Sequence, residues 1–510
     1  MNLQEWKKEM PAFIEKTDAF YAGEVPVKDY KGFSGFYGSY AQKGAKASML
    51  RLRMTSGEVT KEKLDFVVKA IQKHNVNKAH FTTCQAIQLH NLQKEAVYDI
   101  MENALDAGIV CFGGGGDFPR NVMCSPLTGV EQGEYFDVQP YALAAGDFLM
   151  GFVKAEKMPR KLKVCFSNSP KNMPHATFRD LGFVATPEGK FDVYSAGGLG
   201  NNPKFGVKVA QGIDPEDICY YIKAMWLTFR TYGNYENRAK ARTRYMQDVC
   251  GGPEGYKKAY LEKLEEVKGE DLKISVTPKT YSKKGNGTIE GDFVIPQKQE
   301  GLYAVMYHPV GGSPDLEVLS KLNDAIQPME DVVVRLAPDE SSYIINLTAS
   351  EAQEILDIIK NDNAKTIFET SVSCIGATIC QQGLRDSQAL LHACVDAVRE
   401  ANIKNGALPQ IHISGCPSSC GTHQTGCWGF RGHVKMVDKK PQSGFMLYIN
   451  GNDKQGEERM GKEVGAILET EIPKFVVEVG KAVEASGMTF EEWYKKDPQA
   501  FEDIAKPYVG

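Results

Sequence analysis

The stretch SGCPSSCGTHQTGCWGFRG, residues 414–432, sets Cys416, Cys420 and Cys427 among glycines, one proline and small polar residues. Upstream, TSVSCIGATICQQG, residues 370–383, carries Cys374 and Cys380. The spacings are Cys-x5-Cys and Cys-x3-Cys, separated by a helical segment and a short strand, QIHIS. Four thiolates delivered by two loops suit tetrahedral zinc or a 4Fe-4S cluster, since both favour soft sulfur ligands. A five-residue gap is awkward for a zinc knuckle and easier for a cubane with irons at its corners. Unrelated buried thiols are a third reading, good for Cys394 within the helix-like ALLHACVDAV and poor for cysteines in Gly/Pro/Ser loops.

Working outward, the chain repeats a pattern. MLRLRMTSGEVTKEKLDFVVKAIQKH is a short strand, a turn at Gly57 and a helix with Leu64, Val67, Val68 and Ile71 at helical spacing. A second strand, AHFTTCQAIQLHNL, and a second helix ending at Gly108 follow. The same order returns from about residue 302, with a helix opened by Ser313 and Pro314 and another opened by a capping box at Thr348 and Glu351. Gly57 matches Gly312, and Asn91-Leu92 match Asn346-Leu347, all 255 residues apart. An equal offset at two places argues for an internal duplication with pseudo-twofold architecture. The expected organisation is an N-terminal extension over 1–44, one domain from 45–128 with 301–362, a second over 129–300, and a third over 363–510.

Positive charge is patterned locally. Arg51 and Arg53 stand two apart in one strand-like run, as do Lys161 and Lys163 in KLKVCF, so each pair is expected on one face. Arg120 follows the flexible GGGGDFP. A solvated strand face explains either pair alone; beside a redox cluster they suggest an anion pocket. The net charge of −5 argues against a nucleic-acid binder, so anion binding must come from such clustering. No apolar run is long enough to span a bilayer, the N-terminus has no apolar leader segment, and the expected location is cytoplasmic. FGGGGDF has neither the Walker lysine nor Rossmann spacing, and no second cluster motif occurs, so electrons must come from a separate donor.

Taken together, the chain resembles the sirohaem-dependent sulfite and nitrite reductases over nearly its whole length. SGCPSSCG is close to that family's signature, and PRNVMCSP, MPRKLK, SAGGLG and NRAKAR match it elsewhere in the same order. The resemblance implies an α+β fold of three domains, with duplicated halves and mixed sheets flanked by helices. It implies a 4Fe-4S cluster on Cys374, Cys380, Cys416 and Cys420, with Cys420 also bridging to the sirohaem iron. It puts Arg51, Arg120, Lys161 and Lys163 around a bound oxyanion, and Thr82, Gln88, Asn121, Arg160, Gly198 and Arg242 beside the macrocycle. Lys163 stands where the nitrite-reducing branch tends to carry asparagine, which leans toward six-electron reduction of sulfite to sulfide. Nitrite reduction to ammonia, a corrin-pathway monooxygenase of the same fold, and a non-catalytic iron-sulfur or zinc protein are the alternatives. The implied donor is ferredoxin or a reductase subunit.

The sequence departs from the family at four positions. His80 and Cys84 occupy sites where arginines usually meet sirohaem carboxylates, and Cys427 and Trp428 replace an acidic and an aliphatic residue. Read as one strand, His80, Thr82 and Cys84 share a face. Two lost guanidiniums on that face would imply a modified or differently seated sirohaem, or carboxylates paired with other cations, because unpaired buried carboxylates are unfavourable.

Overall fold

The computed structural model describes residues 3–509. Two compact units result. One runs to Gly198 and includes Pro203–Tyr307 and Pro314–Asn361; the other comprises Leu199–Asn202, His308–Ser313 and the chain from Asp362 onward.

The first unit contains the repeat. Its four-stranded antiparallel sheet has the order Ser39–Ala41, Ser48–Arg53, Ala86–Leu92, Ala79–Phe81. A second sheet has the order Val294–Pro296, Tyr303–Tyr307, Ser342–Leu347, Val333–Leu336, and Glu58–Val59 extends its edge. The helices Lys61–Lys73 and Lys94–Ala104 of the first copy return as Leu316–Ile326 and Ala349–Ile359, each starting 255 residues later.

Local chemistry repeats as well. Asn91 and Asn346 both have positive φ, and each is bracketed by a glutamine just past the edge strand. Gln42 donates to Asn91 Oδ1 at 2.8 Å and accepts from its N–H at 2.7 Å; Gln297 does the same to Asn346 at 3.0 and 2.7 Å. Thr60 caps one helix and Asp315 its counterpart. The helix expected to open at Ser313 and Pro314 therefore starts slightly later, because the Asp315 carboxylate accepts from the backbone N–H groups of Glu317 and Val318. The capping box at Thr348 and Glu351 forms as expected.

A third sheet in this unit is mixed, with Met123–Cys124, Val164–Ser167 and Leu181–Ala185 parallel and Phe191–Ser195 and Val207–Ile213 antiparallel. Alternation sets its near end: Leu162, Val164 and Phe166 are fully buried, whereas Lys161 and Lys163 are only half-buried.

In the second unit, Val372–Ser373, Ile411–Ser414 and Trp428–Val437 run parallel, and Lys440–Ile449 and Lys462–Leu468 complete the sheet antiparallel. Helix Ser387–Glu400 makes the crossover that the parallel pair requires. Trp428 is fully buried, stacked on Phe490 at 5.6 Å with Phe475 and Phe501 edge-on. Cys427 packs against the same core, and burial pushes its thiol up to about 12. The departure at 427–428 is thus accounted for by packing. All twelve cysteines are unbridged. Among the described residues no helix is long and apolar enough to cross a membrane.

Candidate functional site

The cysteine loops leave the same end of two parallel strands. Cys374 follows Val372–Ser373, Cys416 follows Ile411–Ser414, and these strands are paired. The Cys374 N–H donates to Ile413 O at 3.2 Å, and Leu384 and Arg385 donate to Gly415 O, folding one loop onto the other. Backbone N–H groups point at sulfur: Gly415 donates to Cys374 Sγ at 3.2 Å and Gln382 to Cys380 Sγ at 3.4 Å. Burial, and after it the Cys420 sulfur, pushes the Cys374 thiol up to about 12, so a metal would have to displace its proton on binding. Among the described residues no three His, Cys, Asp or Glu side chains converge as a metal-ion group, so the four thiols share adjoining loops without forming a closed ligand set. Soft donors with N–H groups aimed at sulfur suit an iron-sulfur cluster, whose potential such hydrogen bonds tune.

The cationic residues gather in the first unit. Arg51 lies opposite Gln88 across the Ser48–Arg53 and Ala86–Leu92 strands. With its amide oxygen turned toward the guanidinium, Gln88 accepts from Arg51 Nε at 3.1 Å and Nη2 at 2.5 Å. Arg51 also donates to Gly114 O, as does Arg120 at 2.9 Å, and Arg120 reaches Gly116 O at 2.9 Å. Two guanidiniums thus converge on one carbonyl of the glycine loop. Burial, then the Arg51 charge, brings Arg120 down to about 10. Glycine is required here because a Cβ on Gly115 would lie 2.5 Å from the Tyr40 hydroxyl.

Arg53 does not join this pocket. It is 4% exposed and donates to the carbonyls of Phe112, Pro119 and Arg120, tying down the loop that carries Arg120. The expected pairing of Arg51 with Arg53 therefore does not extend to a shared partner set: Arg53 is taken up by buried carbonyls of the loop, whereas Arg51 meets Gln88 and the Gly114 carbonyl beside Arg120.

Asp180, fully buried, accepts from Arg242 at 3.0 Å, from the Lys163 N–H at 2.8 Å and from Thr243. Burial raises this carboxyl, but Arg242, Thr243 and the Lys163 N–H outweigh it and hold it below the usual carboxylate range. Arg160 pairs with Asp117 at 2.6 Å, and Arg238 joins them at 2.7 Å. Asn121 donates to the carbonyls of Met54, Cys84 and Gln85, while its own buried Oδ1 has no partner. Gly198 exchanges backbone hydrogen bonds with Lys204. Of the residues expected beside a macrocycle, Arg160 and Arg242 therefore carry carboxylate partners.

His80, Thr82 and Cys84 do not share a strand face. The chain turns between Ala79–Phe81 and Ala86–Leu92: Thr82 Oγ1 accepts from the Cys84 and Ala86 N–H groups, and Gln85 adopts positive φ. His80 lies 3.7 Å from the buried Glu340 carboxylate. Cys84 instead accepts a hydrogen bond from Lys163 Nζ at 3.0 Å. Sequence spacing missed this pair because a hairpin turn and a second sheet bring the two residues together. It missed Arg179 as well, which is held by Pro174 O at 3.0 Å and His175 Nδ1 at 3.2 Å and acts electrostatically on Cys84.

Comparison with known proteins points to nitrite and sulfite reductases. Residues 40–107 match the nitrite/sulfite reductase ferredoxin-like half domain, and 115–268 match the nitrite and sulphite reductase 4Fe-4S domain. The chain is 26% identical to the chloroplastic ferredoxin–nitrite reductase of Arabidopsis thaliana over 79% of this chain and 70% of that one. It is 25% identical to the ferredoxin–nitrite reductase of Leptolyngbya laminosa, covering 83% of each. Against sulfite reductase [ferredoxin] 1 of Mycolicibacterium paratuberculosis it is 23% identical over 80% of this chain and 74% of the other. The solved structure of Mycobacterium tuberculosis NirA shares the fold, with TM-score 0.81 at 21% identity over 96% of this chain and 94% of that one.

The fold and the paired cysteine loops define an oxidoreductase with duplicated α+β halves. Two stretches of the chain thus match nitrite and sulfite reductase domains, and the cofactors are sirohaem and a 4Fe-4S cluster.

Proposed function

We propose that this chain reduces sulfite to sulfide, taking electrons singly from an external donor such as ferredoxin. Cys374, Cys380, Cys416 and Cys420 would hold the cluster in this reading, and Cys420 would also serve the sirohaem. When bound, the two groups supply electron storage and a metal centre for the oxyanion. The protein's own residues supply charge and protons. Arg51 and Arg120 converge on Gly114 O with planar, permanently charged donors, and Lys161 and Lys163 add ammonium groups that donate protons to departing oxygens. Thr82, Gln88, Asn121, Arg160, Gly198 and Arg242 border the macrocycle; Gln88 acts through Arg51, and Arg242 through Asp180 on the Lys163 backbone.

The observation that carries the sulfite reading is Lys163, a cationic side chain where the resemblance leads one to expect asparagine in nitrite reducers. A second reading, nitrite reduction, draws support from relatives named ferredoxin–nitrite reductases at 25–26% identity. Lys163→Asn separates them: we expect sulfite kcat/KM to fall roughly tenfold or more while nitrite turnover changes less, as loss of one cationic proton donor requires. Equal losses on both substrates would remove the basis for preferring sulfite.

A further inference from the structure

Among the described residues of the first unit, Cys84 is the one thiol whose sulfur accepts a hydrogen bond from an ammonium group, and the family reading gives it no role. Its surroundings are cationic on several elements. Lys163 and Lys161 approach from the segment leading into Val164–Ser167, Arg179 from the turn before Leu181–Ala185, and Arg120 from the glycine loop. His175 contacts Arg179, Asp180 holds the Lys163 backbone, and Cys165 belongs to the small apolar cluster against which Cys84 and Tyr194 pack. His80, on the strand leading into the turn, is engaged elsewhere, beside Glu340. Lys163 therefore has a thiol sulfur as partner in place before any oxyanion arrives, whereas Arg51 and Arg120 rest on neutral carbonyls.

We propose that Cys84 is a displaceable counter-anion for Lys163, a positioning residue that gives up the ammonium when an oxyanion binds and takes a proton in exchange. The step balances: thiolate, ammonium, oxyanion and one proton become a neutral thiol and an ammonium–oxyanion pair. No bond other than S–H forms, and no redox change occurs. Oxyanion and proton thus enter together, at a site whose chemistry consumes protons. Burial raises the Cys84 thiol, but Lys163, Arg179, the Lys163 hydrogen bond and Lys161 outweigh it and bring it down to about 6. Above that pH the thiolate competes with the oxyanion for Lys163; below it, the neutral thiol does not.

This proposal rests on the oxyanion-reducing reading above. Two measurements on the full-length holoenzyme test it. First, the ultraviolet thiolate absorbance of the wild type minus that of Cys84→Ser, titrated without substrate, should show a step centred near pH 6. Second, KM for whichever oxyanion the enzyme turns over best should be compared in the wild type and two variants across pH 5–8. The ratio of wild-type to Cys84→Ser KM should start near one and climb above pH 6, by up to about tenfold per pH unit, as one linked proton requires. Taking the ratio cancels the substrate's own titration. Cys84→Asp, anionic throughout, should show a high KM with a flat ratio to Cys84→Ser, a pattern that loss of packing would not give. A thiolate step only above pH 8, or a wild-type KM parallel to that of Cys84→Ser, would overturn the proposal. An enzyme that turns over neither sulfite nor nitrite overturns both readings, and the substrate-free thiolate step then shows whether the ion pair itself was assigned correctly.

Discussion

The two copies of the repeat share a backbone and differ in what one sheet face carries. In the first, Arg51 and Gln88 lie opposite each other and are hydrogen-bonded. In the second, Met306 and Tyr343, each 255 residues later, pair in the same register. Tyr343 is 6% exposed within an apolar cluster with Ala304, Ala337 and Ile345, and Met306 packs against it. The turn is shared too: Thr82 N–H donates to Ala86 O at 3.0 Å, and Ala337 N–H to Ser341 O at 2.8 Å. Yet Thr82 and Cys84 of the first copy are replaced by Ala337 and Asp339. A backbone that tolerates both sets is maintained by its caps and brackets, while one face is free to carry either charged and polar side chains or an apolar core.

Exchanging the faces tests this directly. Arg51→Met with Gln88→Tyr imposes the second copy's chemistry on the first, and oxyanion turnover should fall by about a hundredfold to a thousandfold, the scale of losing a preorganised charge-stabilising donor. Circular dichroism should show the fold retained. Unfolding would instead mean that the Arg51–Gln88 pair is structural. The reverse change, Tyr343→Gln, should leave turnover nearly intact and cost about 3 kcal/mol in denaturant unfolding, because it removes a buried ring and adds an amide to an apolar cluster. A large activity loss without destabilisation would break the division of labour between the copies.

The smallest effect concerns the brackets. Gln42→Ala and Gln297→Ala each remove two hydrogen bonds to an asparagine of positive φ. Asn346 is fully buried and Asn91 is exposed, so Gln297→Ala should be costlier by about 1 kcal/mol, with water replacing the lost partner only at Asn91. Equal costs would mean that burial does not distinguish the copies here.

Most of the scaffold was legible because its signals are local. Leu64, Val67, Val68 and Ile71 bury as their spacing requires, Thr348 and Glu351 form their capping box, and the offset visible at Gly57 and Asn91 extends to the strands and helices of both copies. The cysteine motifs were legible for the same reason, each lying within one loop. What spacing could not supply was who partners whom across the sheets. Arg53 looks like a twin of Arg51 until the carbonyls of Phe112, Pro119 and Arg120 are seen around it. His80 and Cys84 look like neighbours on a strand until Thr82 and Gln85 turn the chain. The Cys84–Lys163 pair joins residues 79 positions apart, and no periodicity predicts it.

Substrate preference is read most directly from steady-state turnover of the sirohaem-loaded enzyme on sulfite and on nitrite with the same reduced ferredoxin. Sulfite should give the higher kcat/KM, with sulfide as the product; a higher kcat/KM for nitrite, yielding ammonia, would overturn the sulfite assignment.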